Sequence, residues 1–311
     1  LRNCWVELEA ADGLSSSGPH EQRIMTHTVP SVDEGIFSEP DDFQERAAGG
    51  WFARIAQSCM NDSVLWVCDQ PYRILEVEFY YHCPEHPDPF SHRAAIQKTC
   101  GQWYFHRTGN SFRGGTFKGL DLTFGSERAY SGMLIRSLRP IGGPLVEGPS
   151  LVVDHLLCRL GMATVAQLHA ATAPYGAWRC GGPLSLESAS RVQPCRTEAC
   201  RVIATARVGL SLRRAEVGEM NWLTYAARRY RFVDASVRLR KGRPQWIHAL
   251  HFAGHSVESI HALTGSPRRT IDGYVRAFQW GRSRSTAASF AGSALGPGDL
   301  CRLLGYESRH A

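Results

Sequence analysis

Residues Arg73–Arg93 read RILEVEFYYHCPEHPDPFSHR. The segment opens as an alternating run, and side chains on a strand point alternately to opposite faces. Leu75, Val77, Phe79 and Tyr81 then share one face, the core face. Glu76, Glu78 and Tyr80 share the other. Two carboxylates and a phenol in line fit the floor of a polar site, and by pattern alone they fit a solvated edge strand as well. The loop that follows carries His82, His86 and His92, Cys83 and three prolines.

Upstream, Trp51–Val67 reads as a helix and then a strand, and Asp69-Gln70-Pro71 is a turn signal before the central strand. Downstream, Gln97–Leu138 is rich in strand formers and glycine. Arg113-Gly114-Gly115 reads as a tight turn there, and Gly132–Leu138 as a buried strand containing Arg136. Gly148-Pro149-Ser150 starts a helix that Gly161 stops. Residues 170–200 read as loop and Val202–Leu212 as strand. Asn221–Phe232 carries the basic cluster Arg228-Arg229-Tyr230-Arg231.

From residue 245 the pattern turns helical. Ser256 is placed to cap one helix, Thr264-Gly265 forms a turn, and Ser266 caps a further helix with Pro267 at its first position. Helix, short glycine turn, helix is the helix-turn-helix pattern. It presents Arg268, Arg269, Thr270 and Arg276, residue types that meet phosphates and base edges.

The expected fold class is α+β: a single mixed domain with a curved antiparallel sheet and flanking helices, plus a small C-terminal helix-turn-helix segment. The expected division is an acidic tail over 1–48, a main domain over 49–240, the helical segment over 245–280 and a tail over 282–311. At 311 residues the chain can bury a sizeable core. Its +6 charge is unevenly spread. Residues 1–48 hold ten acidic against three basic residues, and residues 201–285 hold sixteen basic against five acidic. A basic C-terminal third points to a polyanion, nucleic acid first.

Ten cysteines over 311 residues are too dilute for a disulfide framework. No run of 18 apolar residues and no leading apolar segment occurs. The expectation is an intracellular protein with reduced thiols and no membrane partner. His82, Cys83, His86, His92 and Cys100, or Cys180, Cys195 and Cys200, lack the usual zinc spacings, so no metal is expected. There is no G-x-S-x-G elbow and no P-loop.

The order of segments resembles that of the alkyladenine (3-methyladenine) DNA glycosylases. Arg73–Tyr80 is similar to their R-I-V-E-x-E-A-Y strand, and Phe90-Ser91-His92-Arg93 to the A-x-H-S-R loop. Gly115-Thr116-Phe117, leading to Phe124-Gly125, resembles G-T-L-Y-x-Y-x-x-Y-G. Met133–Pro140 resembles V-L-L-R-A-L-E-P, and Gly148-Pro149-Ser150 the G-P-x-K-L helix start. Ala206–Leu210, Asn221-Trp222 and Tyr230–Val233 are similar to the family's ending. The shared order covers residues 73–233.

The resemblance implies a monomeric, cofactor-free DNA glycosylase of base excision repair, working on double-stranded DNA, in the nucleus if the source is eukaryotic. The target purine would be rotated out of the duplex. Glu78 falls on the family's catalytic carboxylate, which activates a water. Tyr80 and His92 fall on base contacts and Arg136 on a pocket arginine. The family's second pocket tyrosine becomes Leu120 or Asp121, and its intercalating tyrosine becomes Thr123 or Phe124. Lys118, Arg113, Arg228, Arg229, Arg268 and Arg269 are the expected phosphate contacts, and Lys118 is also the candidate amine for a Schiff base. The altered tyrosine segment equally fits a glycosylase-like module that binds DNA without cutting.

Overall fold

A computed structural model describes residues 32–40, 43–191, 199–215, 220–284, 290, 292 and 294–310. Cys195 and residues 1–31 of the acidic segment lie outside them.

The described residues begin in the segment read as a tail. Asp33 caps a short turn at Glu34–Phe37, and Phe37 is fully buried. Helix α1 (Ala48–Gln57) buries Trp51, Phe52, Ile55 and Ala56, which fall on one helical face. Strand β1 (Ser63–Val67) turns into the long β2 (Gln70–Cys83), and β3 (His86–Pro87) folds back on its end. Next come β4 (Cys100–Phe105), the small hairpin β5 (Arg107–Thr108) and β6 (Ser111–Phe112), then β7 (Leu120–Phe124), β8 (Tyr130–Pro140) and β9 (Val146–Glu147).

Gly148 takes a positive φ of 108° and Pro149 opens α2 (Pro149–Arg159). Thr164 and Gln167 form a capping box on α3 (Val165–Thr172). The stretch expected to be loop contains β10 (Leu184–Ser188), whose Leu184 and Leu186 alternate into the core. Neighbouring Gly, Pro and Ser masked that alternation in the sequence. Strand β11 (Val202–Thr205) is shorter than expected. Helix α4 (Met220–Ala227) and β12 (Arg231–Asp234) follow. Among the described residues four helices follow: α5 (Arg243–Phe252), α6 (Val257–Thr264), α7 (Arg268–Arg282) and α8 (Pro297–His310). The last corrects the expected tail over 282–311. Gly281 and Gly305 let α7 and α8 touch backbone to backbone, against Arg302 and Phe278 respectively.

The result is an antiparallel sheet in the order β10-β1-β2-β8-β7-β4 with helices packed around it. Strand β2 is central because it is long enough to change partner. Along one edge it pairs with β1 through Gln70–Tyr72 and then with β12 through Glu76–Glu78. A bulge in the β2–β8 pairing falls at this changeover, between Ile74 and Val77. A bulge inserts an unpaired residue and re-aims its neighbours.

Here the bulge corrects the simple alternation. Ile74, Val77, Phe79 and Tyr81 enter the main core, while Leu75 enters a second core with Val233, Trp246, Ile247, Leu250, Ile260 and Ile271. The C-terminal helices are thereby anchored on the central strand. The described residues from 32 onward belong to one unit, Ser31–Ala311. No helix among them is long and apolar enough to cross a membrane.

Candidate active site

Register places the polar residues in a row. Directly paired residues on antiparallel strands share a face. Across four pairings, Arg231 lies opposite Glu78, Glu78 opposite Leu134, Leu134 opposite Asp121, and Asp121 opposite Tyr104. Tyr80 lies opposite Gly132 in the adjacent row. The reverse face of the same strands carries Val77, Phe79, Met133, Ile135, Leu122 and Phe105, all in the main core. The sheet therefore has an apolar side under α1, α2 and α3 and a polar side centred on β2.

At the centre of that polar side, Glu78 is fully buried. Its Oε2 accepts from the Tyr80 hydroxyl at 3.0 Å and from Arg136 Nη1 at 3.1 Å. Its Oε1 accepts from the Val208 backbone N–H at 2.6 Å. Glu76 Oε1 accepts from Arg136 Nε at 2.9 Å and Arg231 Nε at 2.7 Å, and the Ser137 hydroxyl donates to Oε2 at 2.5 Å. Burial opposes the charge on Glu76, but Arg231 and Arg136 outweigh it and hold the carboxyl below its usual range. Burial and then the Glu78 charge push the Tyr80 hydroxyl well above its usual value, so it remains a donor.

A third pair closes the cluster. Arg207 grips Asp88 through Nη1 at 2.6 Å and Nη2 at 3.1 Å, and its guanidinium lies 4.7 Å from the Tyr80 ring centroid. Both partners are inaccessible to solvent. Buried ions need this kind of pairing, because an unpaired one costs several kcal/mol, roughly 3–5 when one partner is removed.

The far end of the row forms a second polar group. His106 Nε2 and Asp121 Oδ1 are 2.7 Å apart, and the His92 ring stands edge-to-face on His106 with centroids 4.4 Å apart. The Tyr104 hydroxyl is 3.4 Å from His92 Nδ1. Burial and then His106 lower the His92 pKa to about 4, so the ring is neutral at neutral pH. Asp121 Oδ2 leans over Gly132, where an added Cβ would lie 2.5 Å from it. The sequence pointed to His92 and Asp121 but missed His106. Its signal was the alternation of Tyr104 and His106 against Trp103 and Phe105. Arg207 and Arg231 were also missed as members of the cluster.

Several expected site residues stand elsewhere. Leu120 and Phe124 point into the main core because they alternate with Asp121. Phe124 is 3% exposed and stands edge-to-face on Trp51, so it does not project as a wedge. Thr123 is buried, with its hydroxyl bonded to the Thr99 carbonyl and the Gln102 N–H. Arg228 pairs with Glu45 at 2.8 Å, and Arg229 donates to the Ala204 carbonyl. Arg228 is thereby tied into the fold, whereas Arg229 is exposed and uses its Nε for that bond. Arg113 donates to Arg107 O and Thr108 Oγ1 within its own hairpin. Arg268 and Arg269 stand exposed on the first turn of α7. Ser266 does not cap that helix: Pro267 occupies the cap position, and the Ser266 hydroxyl is buried without a partner.

Among the exposed aromatics of the described residues Phe117 is the most exposed, at 72%. Its loop is tied at the neck, where His106 N–H donates to Gly119 O and Arg113 N–H donates to His106 O. The Ser150 hydroxyl and Lys118 Nζ both donate to Gly115 O, and Lys118 also pairs with Asp154 at 3.0 Å. The Lys118 amine is thus engaged rather than poised as a nucleophile. Leu151, beside Ser150, is 55% exposed.

The histidines of the loop meet groups of the chain itself. His86 Nδ1 meets the Tyr81 carbonyl and Nε2 the Tyr230 hydroxyl, while His82 Nδ1 meets the Asp88 carbonyl. Among the described residues no group of three His, Cys, Asp or Glu side chains is placed to hold a metal ion.

No family model matches the chain. Over 122 residues it is 34% identical to an uncharacterized protein of Acanthamoeba polyphaga mimivirus. The alignment covers 34% of this chain and 56% of the viral protein, so the chain spans about half the length of that relative.

Proposed function

We propose that the protein is a DNA N-glycosylase that hydrolyses the bond between deoxyribose and a flipped-out damaged or modified purine, in base excision repair. The observation that carries this reading is the setting of Glu78. A carboxylate at the middle of a polar sheet face is oriented by a phenol, a guanidinium and a backbone N–H. The order of segments shared with the alkyladenine glycosylases supports it.

In this reading a water oxygen bonds to C1′ as the bond from C1′ to the base nitrogen breaks. Glu78 takes a proton from the water, and the base departs with the bonding pair. The carboxylate also offsets the positive charge that develops on the sugar in an oxocarbenium-like transition state. Tyr80 and His92 are the base contacts. Arg136, already bonded to both Glu76 and Glu78, positions Glu78 rather than anchoring the base. Phe117 takes the role of the wedge, since it is the exposed aromatic on a clamped loop, and apolar wedges part base steps. The reaction calls for no cofactor.

The test is base release from a panel of alkylated, deaminated and otherwise modified duplexes. Wild-type protein leaves alkali-sensitive abasic sites on at least one of them, and Glu78→Gln binds the same duplex without cutting. Release of no base from any of them sinks the enzyme reading.

One observation favours a second reading. Glu78 is inaccessible and both its oxygens already have donors. A glycosylase-like module that binds flipped nucleotides without cutting fits that arrangement. Single-turnover measurement separates the two: tight binding of a modified duplex with no abasic product identifies the binding module.

A further inference from the structure

Helices α5, α6 and α7 close around a core of their own, in which Trp246, Ile247, Leu250, Ile260 and Ile271 meet Leu75 and Val233 of the sheet. Ser256 caps α6 by accepting from the Ser259 N–H. Gly265, at φ 66°, ends it, and α7 starts three residues later. Two helices joined by a short glycine turn and held on a third present the second of the pair outward. Helix α7 has the surface such a helix needs. Ile271 and Phe278 are buried, and Tyr274 packs against the core. Arg268, Arg269, Thr270 and Arg276 are exposed, and Arg269 and Arg276 lie on the side opposite Ile271 and Phe278. Among the described residues no ion pair is formed by Arg268, Arg269 or Arg276.

Gly273 supplies the independent observation. It lies in the middle of a 15-residue helix, where glycine weakens the helix relative to alanine. Gly281, on the same helix, is explained by the backbone of Arg302 pressed against it. Gly273 has no such internal reason: nothing lies within 4 Å of an added Cβ. A glycine flanked by exposed arginines on an open helix face suits the close approach of something outside the chain. Arg269 and Arg276 are two turns apart, about 10 Å along the axis, a span of about three base pairs. The major groove, about 12 Å wide, admits a helix and displays a distinct pattern for each base pair.

We propose that α7 is a recognition helix that enters the major groove of unmodified duplex DNA and reads a short base sequence. The protein then carries a DNA site on α7, apart from the Glu78 face, that directs it to particular sequences, and this inference rests on α7 and not on the glycosylase reading. Arg269 and Arg276 reach base edges, Arg268 meets phosphate, and Gly273 lets the groove wall close on the helix.

The experiment selects duplexes from a randomised, unmodified pool with the full-length protein and measures binding to selected and scrambled sequences. A shared sequence is expected, bound about 10-fold or more tightly than its scramble, with Arg269→Ala and Arg276→Ala each removing most of that preference. Gly273→Leu is expected to melt no lower than wild type and yet lose the preference, a split that a purely structural role for this position does not give. A pool that yields no shared sequence overturns the proposal. So do variants that weaken selected and scrambled duplexes equally, which is the mark of phosphate contact alone. Base release from modified duplexes, assayed on the same α7 variants, reports separately on Glu78.

Discussion

Arg136 joins the two carboxylates of the central strand: its Nε donates to Glu76 Oε1 at 2.9 Å and its Nη1 to Glu78 Oε2 at 3.1 Å. The strand face is thereby set by one forked side chain. Arg136→Ala leaves Glu78 with the Tyr80 hydroxyl and the Val208 N–H alone. Removing one partner from a buried ionic cluster costs roughly 3–5 kcal/mol, and urea unfolding should show a loss of that order. Arg136→Lys keeps the charge, but a point-like ammonium does not bridge two carboxylates as a planar fork does. Its unfolding midpoint should lie between those of Ala and wild type. A lysine variant as stable as wild type would show that the fork geometry is unimportant.

Phe117 and Phe124 offer a paired test of which aromatic faces outward. Phe124 lies among Trp51, Phe52, Phe79 and Tyr81, so Phe124→Ala should cost about 3–5 kcal/mol of stability. Phe117→Ala should leave the melting temperature within about a degree or two, because so exposed a side chain has little packing to lose. If Phe117 meets bases as proposed, its removal weakens DNA binding by about 1–3 kcal/mol, the usual worth of a base stacked on an aromatic. Equal stability losses in both variants would contradict the placement of the loop.

The sequence showed the centre of this fold better than its margins, for physical reasons. Alternation in β2 put Glu78 and Tyr80 on one face, where the Tyr80 hydroxyl meets the Glu78 carboxylate, since period-2 patterning survives wherever pairing is regular. It misplaced Leu75 because a bulge shifts the pattern by one residue, and nothing in ILEVE signals a bulge. Phe124 and Phe117 are both aromatic residues near glycines. Only the extent of β7, in which Leu120, Leu122 and Phe124 share the core face, shows which one points inward. Arg228, Arg229 and Arg231 read as a surface cluster by composition. Yet Arg231 meets Glu76 from 155 residues away, a contact that no local pattern encodes.

Acid should destabilise the protein through histidines held neutral by burial. Burial and then Arg229 push His248 down to about 3, and burial and then His106 bring His92 to about 4. In the unfolded chain both titrate near 6.5. The unfolded state therefore binds more protons than the folded state below about pH 6.5, and stability falls as pH drops. The loss begins near 6.5 and continues to about 4 for His92 and about 3 for His248. Each group adds a slope of at most about 1.4 kcal/mol per pH unit, less for the partly exposed His92. Glu76, held below its usual range, adds its own loss as pH falls through its folded value. His248 packs on Phe278 with its Nε2 unpartnered, so His248→Phe should keep the fold and flatten the slope between pH 4 and 6. An unchanged slope in urea titrations would show that His248 is not held neutral.

Gly132 and Asp121 provide the sharpest test of the row that runs from Glu78 to Tyr104. A Cβ on residue 132 would meet Asp121 Oδ2 at 2.5 Å and Gln97 Nε2 at 2.9 Å. Gly132→Ala must therefore move Asp121, and with it the 2.7 Å contact to His106 Nε2. Since His92 packs edge-to-face on His106, the displacement should reach the wall assigned to base contact. In the wild-type background the substitution should destabilise by about 1–3 kcal/mol and shift the His106 and His92 ring signals in NMR spectra. Asp121→Ser shortens the obstructing side chain, so Gly132→Ala should cost much less in that background. A double-mutant cycle should return a coupling of about 1–2 kcal/mol, within the range found for residues in contact. Strict additivity would place Asp121 away from Gly132 and remove the link between the two ends of the row.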